Sequence, residues 1–438
     1  MNQVKEFEKL SLIAAIFINL NIMVGVGLFI NTTVLAHMVG AAGFVAYATL
    51  AILILPLILS IATLVNIYPS GGFYTYAKNE LHPLAGFISS WSYFIGKLAS
   101  ATIMIHASML LLQQIIPMLS QINIFALDIG MLFVFLALNM LHLQAGKSVQ
   151  IVFLIMKLIP IFFVLFSGLF LLSPGNYTAS QFDWSQFTGT IPLVLFAAIG
   201  FEATTSLSNN IKNARINGPR AILISYTIVM TINILYQFFF YGILGSELHT
   251  APSFLNAFPL LLAKFFGSNT ILINNLQSLF NVAIASSALG GAFGIIFSNS
   301  WNLHTLAHNN HIIQAKQFLK ENKWGTPYAC ILAEGAIFLA YLFGTQARQI
   351  PLQQIAAFGC SIAYTLSVFS LLLIALKNKI KTPIWIPLFG LLNCIFFLMS
   401  CLYSFYQSGS QSLIIFGTLM LIGISMFIYT SKKQTSVI

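Results

Sequence analysis

Asn21-Ile-Met-Val-Gly-Val-Gly-Leu-Phe29 places two glycines, Gly25 and Gly27, in the middle of the first long apolar run of the chain. Lipid offers no hydrogen-bond partner to backbone groups, so a segment that crosses a membrane normally stays helical. Two closely spaced glycines weaken a helix, and a break at mid-depth must lie inside protein or line a cavity. A second such break is predicted at Phe196-Ala-Ala-Ile-Gly-Phe-Glu202. Because paired broken helices hold substrate in many secondary transporters, the two segments predict a transport protein.

The composition is that of an all-α integral membrane protein. Of 438 residues, 58% are hydrophobic and only 6% are charged, whereas soluble domains carry roughly 25% charged residues. A spanning helix needs about 20 apolar residues, and the short loops argue against a receptor or a membrane-anchored enzyme. The apolar runs predict twelve helices, at residues 10–32, 39–67, 84–118, 124–142, 149–173, 189–210, 221–245, 270–303, 328–346, 352–376, 384–406 and 412–430.

The net charge of +10 indicates membrane topology rather than nucleic-acid binding. Most Lys and Arg residues fall on one side of the predicted helices. Lys264 and Arg348 fall on the other side, and Lys97 and Lys157 lie within helices. Basic loops stay in the cytoplasm, so both termini are predicted to be cytoplasmic, which requires an even number of spans.

The positions of the two breaks predict an internal repeat. Helix 6 comes five helices after helix 1, and this odd spacing inverts the second copy relative to the first. We therefore expect one transmembrane domain over residues 1–438. Helices 1–5 (about 10–173) would form the first repeat and helices 6–10 (about 189–376) the inverted second repeat, with helices 11 and 12 (about 384–430) outside both.

Several segments resemble motifs of one transporter family. They are Val24-Gly-Val-Gly-Leu-Phe29, Pro69-Ser-Gly-Gly-Phe-Tyr-Thr-Tyr76, Phe196-Ala-Ala-Ile-Gly-Phe-Glu202 followed by Lys212-Asn213 and Gly218-Pro-Arg-Ala221, and Gly325-Thr-Pro-Tyr328. Together they resemble the amino acid–polyamine–organocation permeases over nearly the whole chain. The resemblance implies the sodium-symporter-like fold of two inverted five-helix repeats. It also implies transport of amino acids or amines, in a bacterial cytoplasmic membrane.

Some positions depart from the pattern of that family. Val26 stands where a hydroxyl residue is common between the helix 1 glycines, and Ala214 stands where a proline usually follows Lys-Asn. Basic and acidic residues usually end helix 8, where this chain has Trp301, His308 and Asn309. These departures concern the substrate and the inner gate rather than the fold.

The substrate site is predicted between the two breaks. Unwinding at Gly25, Val26 and Gly27 would expose backbone N–H groups and the positive end of a helix dipole, which suit a carboxylate. Free carbonyls near the second break would suit an ammonium group, so one zwitterion satisfies both. The alternative is that these small residues only let helices pack closely. The predicted substrate-binding residues are Met23, Gly25, Val26, Gly27, Phe196, Ala197, Ile199 and Gly200.

Lys157, in the middle of helix 5, is the main candidate for coupling. A charge at that depth costs at least ~2.5–3.5 kcal/mol, so it should face the protein interior. In some members of the resembled family a lysine here stands in for a bound sodium ion, and its protonation drives the cycle. The alternative is a permanent charge that pins helix 5 to helices 1 and 8. Ser286 and Ser287 on helix 8 are candidates to supply oxygens near Lys157.

Gating candidates surround the second break. Glu202 follows it directly and is expected to serve structure or gating by binding unwound backbone, rather than to contact substrate. Phe196 resembles the aromatic residue that closes over substrate in the family, although a core aromatic is the alternative. Lys97 lies more than a dozen residues into helix 3, so an inner vestibule is favoured over snorkelling to the interface.

No cofactor and no metal site are predicted. His304, His308 and His311 have ligand-like spacing but fall in a basic stretch with no nearby acid. The four cysteines show no metal or redox spacing and are expected to pack in the core. They are Cys330, Cys360, Cys394 and Cys401.

These features predict a secondary transporter of amino acids that works by alternating access, coupled to protons or to exchange rather than to sodium. The expected partners are a small amino acid or amine, protons and the lipid bilayer, and not nucleic acid. An amine or polyamine exchanger on the same fold is the alternative. Several acids at the site would favour this amine or polyamine exchanger, whereas we expect Glu202 to be the only acid at depth. A channel or a transport-inactive sensor is a third hypothesis, although a channel needs no paired breaks.

Overall fold

The computed structural model describes residues 9–69, 72–141, 143–206, 211–267, 269–380 and 382–435, with the backbone alone at 143–154, 206, 434 and 435. These residues form helices and no strand. The spanning helices 1 to 12 are Leu12–Met23 with Gly27–Val39, Gly43–Ile67, Pro83–Gln113, Ile124–Asn139, Leu143–Leu171, Phe187–Ala198 with Ala203–Ser206, Ala214–Leu244, Thr270–His308, Tyr328–Gly344, Gln349–Leu376, Trp385–Ser408 and Gln411–Thr435. Shorter helices are Phe73–Glu80, Pro117–Ser120, Ser246–Thr250, Ala257–Phe266 and Ala315–Phe318.

The described helices account for the predicted membrane spans. Eight of them are long and apolar enough to cross a membrane, and helices 4, 5, 6 and 9 contribute shorter apolar segments. Large apolar side chains such as Ile52, Phe162 and Leu169 are exposed on the outside, whereas the polar Asn19 and Gln353 are buried. Soluble proteins show the reverse distribution, with apolar side chains inside and polar ones outside. Exposed apolar side chains are what contact with lipid requires, which confirms an all-α, multi-pass membrane protein.

Helices 1 and 6 are the two broken helices, five apart in chain order, as the predicted inverted repeat requires. Helix 1 contacts helices 6, 7 and 8, and helix 3 lies against helices 8 and 10. In the most apolar stretch of helix 1, 83% of the residues are buried. In the corresponding stretch of helix 12, only 17% are buried. The broken helix 1 therefore lies at the centre of the fold, and helix 12 lies at its edge.

Several helix ends differ from the predicted ones. Helix 1 continues to Val39 rather than to residue 32. Asn31, near the predicted end, is buried and donates to the Leu193 carbonyl at 2.8 Å. Thr32 returns its hydroxyl to the Leu28 carbonyl of its own helix. Polar side chains that find partners inside the protein do not end a helix.

Other ends also move by a few residues. Helix 3 ends at Gln113 rather than at 118, helix 7 begins at Ala214 rather than at 221, and helix 8 ends at His308 rather than at 303. Residues 70 and 71 of the Pro69–Tyr76 motif lie outside the described residues, as do residues 207–210 at the predicted end of helix 6.

Candidate functional site

The first break is a short unwound turn in helix 1. The first half of the helix ends at Met23, and Val24 has φ −80° and ψ 66°, outside helical values. The second half begins at Gly27, and in the described part of the chain no side chain caps its N-terminus. The first N–H groups of this half therefore face the break, at the positive end of its dipole.

The second break lies in helix 6. Helix 6 stops at Ala198, Ile199 is extended, and Gly200 has φ +132°, a conformation that side chains rarely adopt. A Cβ atom at Gly200 would also lie 3.0 Å from the backbone nitrogen and Cγ of Met23. Glycine is thus required here both for the backbone turn and for the close approach of helix 1.

The two breaks lie against each other. A Cβ atom at Gly27 would lie 3.0 Å from the ring of Phe196 and 3.1 Å from Cα of Ala197. A Cβ atom at Gly25 would clash with the methyl group of Met104 on helix 3. The glycines therefore let helices 3 and 6 approach the unwound backbone of helix 1, and they bring the residues predicted to bind substrate together. Met104 is a neighbour that the sequence did not indicate.

Lys157 is fully buried and binds the first break directly. Its Nζ donates to the carbonyl oxygens of Asn21 at 2.8 Å and Val24 at 2.5 Å. Backbone carbonyls that no longer bond within the helix thus receive a cationic donor from helix 5. Charge-assisted hydrogen bonds of this kind are roughly twice as strong as neutral ones.

Ser287 joins the same cluster from helix 8. Its hydroxyl donates to the Val24 carbonyl at 3.0 Å and to the Gly25 carbonyl at 3.3 Å. Lys157 and Ser287 therefore share one acceptor, so helices 1, 5 and 8 meet at the break. Ser286, the other predicted serine, makes no side-chain hydrogen bond to a described residue.

A buried ion pair lies beside the second break. Glu202 accepts a hydrogen bond from the Gly200 N–H at 2.9 Å with one carboxylate oxygen. Its other oxygen accepts from the Tyr93 hydroxyl at 2.8 Å and lies 3.6 Å from Nζ of Lys97. Lys97 is 1% exposed, so it does not snorkel to the interface, and it compensates the charge of Glu202 inside the protein.

Asn19 ties the two broken helices together, and the sequence analysis did not single it out. Its side-chain amide donates to the Phe201 carbonyl at 2.8 Å and to the Thr204 hydroxyl at 3.3 Å. Its carbonyl oxygen accepts from the Thr204 N–H at 3.3 Å. One signal was available: Asn19 lies four residues, about one helical turn, before the predicted site residue Met23.

The expectation that Glu202 is the only acid at depth is wrong. Asp128 in helix 4 and Glu334 in helix 9 are also buried, at 0% and 1% exposed. The sequence analysis singled out neither residue, because their burial depends on how helices 4 and 9 pack against their neighbours. Asp128 lies 2.8 Å from Nδ1 of His106 on helix 3, whereas neither carboxylate oxygen of Glu334 has a hydrogen-bond partner among the described residues.

A short helix after helix 2 docks on the end of helix 8. The helix is Phe73–Glu80. The hydroxyl of Tyr74 lies 2.6 Å from Nε2 of His311, and Nζ of Lys78 donates to Asn309 at 2.9 Å. Burial, and secondarily the charge of Lys78, lower the pKa of His311 from 6.5 to about 4. The imidazole is therefore neutral at neutral pH.

Known proteins resemble this chain over most of its length. The family model described as "Amino acid permease" matches residues 10–427. The b(0,+)-type amino acid transporter 1 of Homo sapiens is 24% identical over 91% of this chain and 83% of that protein. An uncharacterized transporter of Mycobacterium tuberculosis is 22% identical over 89% of this chain and 85% of its own length. The low-affinity putrescine importer PlaP of Escherichia coli is 26% identical over 53% of both chains.

Proposed function

Since the chain belongs to the amino acid permease family, we propose that this secondary transporter carries amino acids through a site between the breaks of helices 1 and 6. The observation that carries the proposal is the approach of Gly27 to Phe196 and Ala197. Through this approach, the N-terminus of the second half of helix 1 lies beside the C-terminus of the first half of helix 6. These are the dipole ends that favour a carboxylate and an ammonium group, respectively.

We assign the two ends of the substrate to the two breaks. The α-carboxylate binds the N–H groups at Gly25, Val26 and Gly27, and the α-ammonium group binds carbonyls at the end of the first half of helix 6. Phe196 covers the bound substrate from helix 6. Met23, Ala197, Ile199 and Gly200 complete the site, and movement of helices 1 and 6 exposes it to either side in turn.

The Lys97–Glu202 pair supports amino acids over amines. A polyamine carries only positive charge, and it needs carboxylates that are not already compensated. Glu202 already has Lys97 at 3.6 Å and two hydrogen-bond donors. A neutral amino acid brings no net charge, so it leaves this pair intact. The similarity to a putrescine importer supports an amine as the second candidate.

We propose that Lys157 couples transport to protons or to exchange. Its ammonium group is held by two carbonyl oxygens of helix 1, as a bound cation would be, and one of these carbonyls also accepts from Ser287. Release of its proton would remove the charge that holds helix 5 to the break, which links protonation to the conformation of helix 1. The alternative is a permanent charge with a purely structural role.

Counterflow in proteoliposomes tests the proposed substrate class. Vesicles loaded with a mixed pool of amino acids and amines are challenged with one labelled compound at a time. Selective exchange of neutral amino acids supports the proposal, and selective exchange of putrescine or another diamine supports the second candidate. Steady ion current without any substrate would favour a channel and would contradict both.

We also propose a single transmembrane domain in the bacterial cytoplasmic membrane, with both termini in the cytoplasm. The distribution of basic residues supports this orientation. In a variant without native cysteines, a cysteine at position 432 should react only with reagents that reach the cytoplasm. A cysteine at position 175, between helices 5 and 6, should react from outside. The reverse pattern would invert the topology.

A further inference from the structure

Glu334 is a buried acid that no step of the proposed transport mechanism uses. It lies in helix 9 and is 1% exposed. Among the described residues, neither of its carboxylate oxygens has a hydrogen-bond partner, and none of the ion pairs includes it. An ionised carboxylate in such surroundings is far more costly than a neutral carboxyl group. Ionisable side chains at membrane depth commonly mark the paths of protons or ions, so Glu334 calls for an explanation of its own.

The helices around Glu334 are packed closely. Helix 9 contacts helices 3, 4 and 8. A Cβ atom at the neighbouring Gly335 would lie 2.8 Å from Cδ1 of Leu136, which brings helix 4 close to this part of helix 9. Cys330, one turn before Glu334, is also buried, and its thiol donates to the Phe318 carbonyl at 3.5 Å. Protein therefore covers the acid from several sides.

No charge from the surrounding elements compensates Glu334 in the part of the chain that the structure describes. Helices 3, 4 and 8 and the short helix Ala315–Phe318 pack against helix 9. Lys97 is paired with Glu202 instead, and His106 with Asp128. The charged side chains and histidines of these packed helices are Lys97, His106, Asp128, His304, His308 and Lys316.

A turn before helix 9 closes the end of the interface nearest to Glu334. Asn322 donates to the Met140 carbonyl, at the end of helix 4, at 2.7 Å, and the Thr326 hydroxyl donates to the same carbonyl at 3.2 Å. The side-chain oxygen of Asn322 also accepts from the Thr326 N–H at 3.2 Å. The turn thus ties the end of helix 4 to the start of helix 9, about two helical turns before Glu334.

We propose that Glu334 is a proton-binding site, separate from Lys157, which holds a proton in this structure and exchanges it with the cytoplasm when the turn at residues 322–326 opens. A bound metal cation such as Ca²⁺ takes six to eight oxygen ligands, whereas a proton needs one carboxyl group. The inference rests on the proposed orientation for the side from which the proton enters, and it adds a second proton site to the proposed coupling.

Infrared difference spectroscopy of the full-length protein at neutral pH tests for the proton. A protonated carboxyl group has a carbonyl stretching band that is well separated from the bands of a carboxylate. The wild-type spectrum minus that of Glu334→Gln should contain the protonated band and no carboxylate band. The matched control is Glu321→Gln, which removes an exposed acid before helix 9 and should reveal carboxylate bands. Thermal unfolding of Glu334→Gln should match the wild type, because the amide replaces a neutral group of similar shape.

Exchange of this proton for deuterium tests the route. In heavy water the protonated band should shift at least about five-fold faster in Asn322→Ala than in the wild type, because the loss of one hydrogen bond loosens the turn by about that factor. Thr326→Val removes the other donor to Met140 and should act in the same direction, which keeps the test decisive if Asn322→Ala does not fold. Asn217→Ala, the matched control, removes a donor to the Lys212 carbonyl at the start of helix 7 and should exchange at the wild-type rate.

Three results would overturn the proposal. Carboxylate bands assigned to Glu334 would show an ionised group rather than a bound proton. A strong loss of thermal stability in Glu334→Gln would show that a charged partner holds the carboxylate. Wild-type exchange rates in both variants of the turn would place the route elsewhere. None of these measurements depends on transport, so a lack of amino acid counterflow would contradict the proposed function and leave the proton assignment standing.

Discussion

At the scale of single residues, the site depends on groups that would be costly anywhere else in a membrane helix. Gly200 holds a backbone conformation that side chains rarely adopt, and Lys157 and Lys97 place charge where water does not reach. Each cost is met locally: carbonyls of the first break bind one lysine, and Glu202 binds the other. A single substitution should therefore destabilise the protein mainly because the partner of the replaced group stays buried without its compensating contact.

Replacing Gly200 tests the requirement for the second break. We expect Gly200→Ala to destabilise the protein by about 1–3 kcal/mol, because alanine disfavours the positive φ and its Cβ meets Met23. Transport should be lost at temperatures where the variant stays folded. The control is Gly130→Ala in helix 4, where a Cβ meets no atom within 4 Å. Wild-type thermal stability and counterflow in the Gly200 variant would contradict the assignment.

Removing the charge of Lys97 tests its pairing with Glu202. Loss of one partner of a buried pair typically costs about 3–5 kcal/mol, because the other charge remains uncompensated. We therefore expect Lys97→Met to lower the thermal stability strongly, and Lys97→Met combined with Glu202→Gln to recover part of it. The single variant should also gain binding of diamines, measured by counterflow.

A loss of stability in the double variant equal to the sum of the two single losses would show that Lys97 and Glu202 act independently. No gain of diamine binding in a folded Lys97→Met variant would remove the argument that this pair selects against amines.

At the scale of elements, the two broken helices are held by neighbours from both halves of the chain. On one side of the breaks, Gln353 of helix 10 donates to Asn31 at 2.8 Å, and Asn31 donates to the Leu193 carbonyl of helix 6. On the other side, the helix Phe73–Glu80 is tied to the end of helix 8 through Tyr74 and His311. On the proposed transport path the substrate would pass these two contacts, so each is expected to break in one half of the cycle.

Acid should loosen the contact at His311. Its pKa is lowered from 6.5 to about 4 in the folded protein, so the unfolded state binds more protons between these values. The stability that the neutral imidazole contributes is present above about pH 6.5 and is lost as the pH falls towards 4. Thermal denaturation of the wild type and His311→Gln between pH 4 and 8 measures this. We expect a smaller decline in the variant, and equal slopes would contradict the pairing.

At the scale of the whole molecule, the proposed coupling requires that the charge of Lys157 be linked to the arrangement of helices 1, 5 and 8. Only the folded protein brings these three helices together, and Ser287 and Lys157 meet at a single carbonyl. Since helix 1 also lies against helix 6, a change at this carbonyl reaches both breaks. Coupling energies between linked sites are typically about 1–3 kcal/mol, or 5–150-fold.

Neutralising Lys157 tests this link. We expect Lys157→Gln to reduce pH-gradient-driven accumulation in proteoliposomes at least about five-fold, because glutamine donates hydrogen bonds but cannot release a proton. Lys264→Gln, which removes an exposed lysine paired with Glu247, should behave as the wild type. Accumulation that depends on sodium and survives in the Lys157 variant would rule out proton coupling.

The sequence by itself determined which segments span the membrane and where two of them break. In lipid the backbone must bond within its own helix, so apolar length and paired glycines are sufficient to predict spans and breaks without knowledge of neighbours. The presence of Lys97, Lys157 and Glu202 at depth was equally visible. Tertiary structure alone decided their partners: Lys97 lies beside Glu202, Ser287 rather than Ser286 shares a carbonyl with Lys157, and Asp128 and Glu334 are buried. These contacts depend on which faces of the helices meet. Close packing between helices that are far apart in the chain determines those faces, and the local sequence does not.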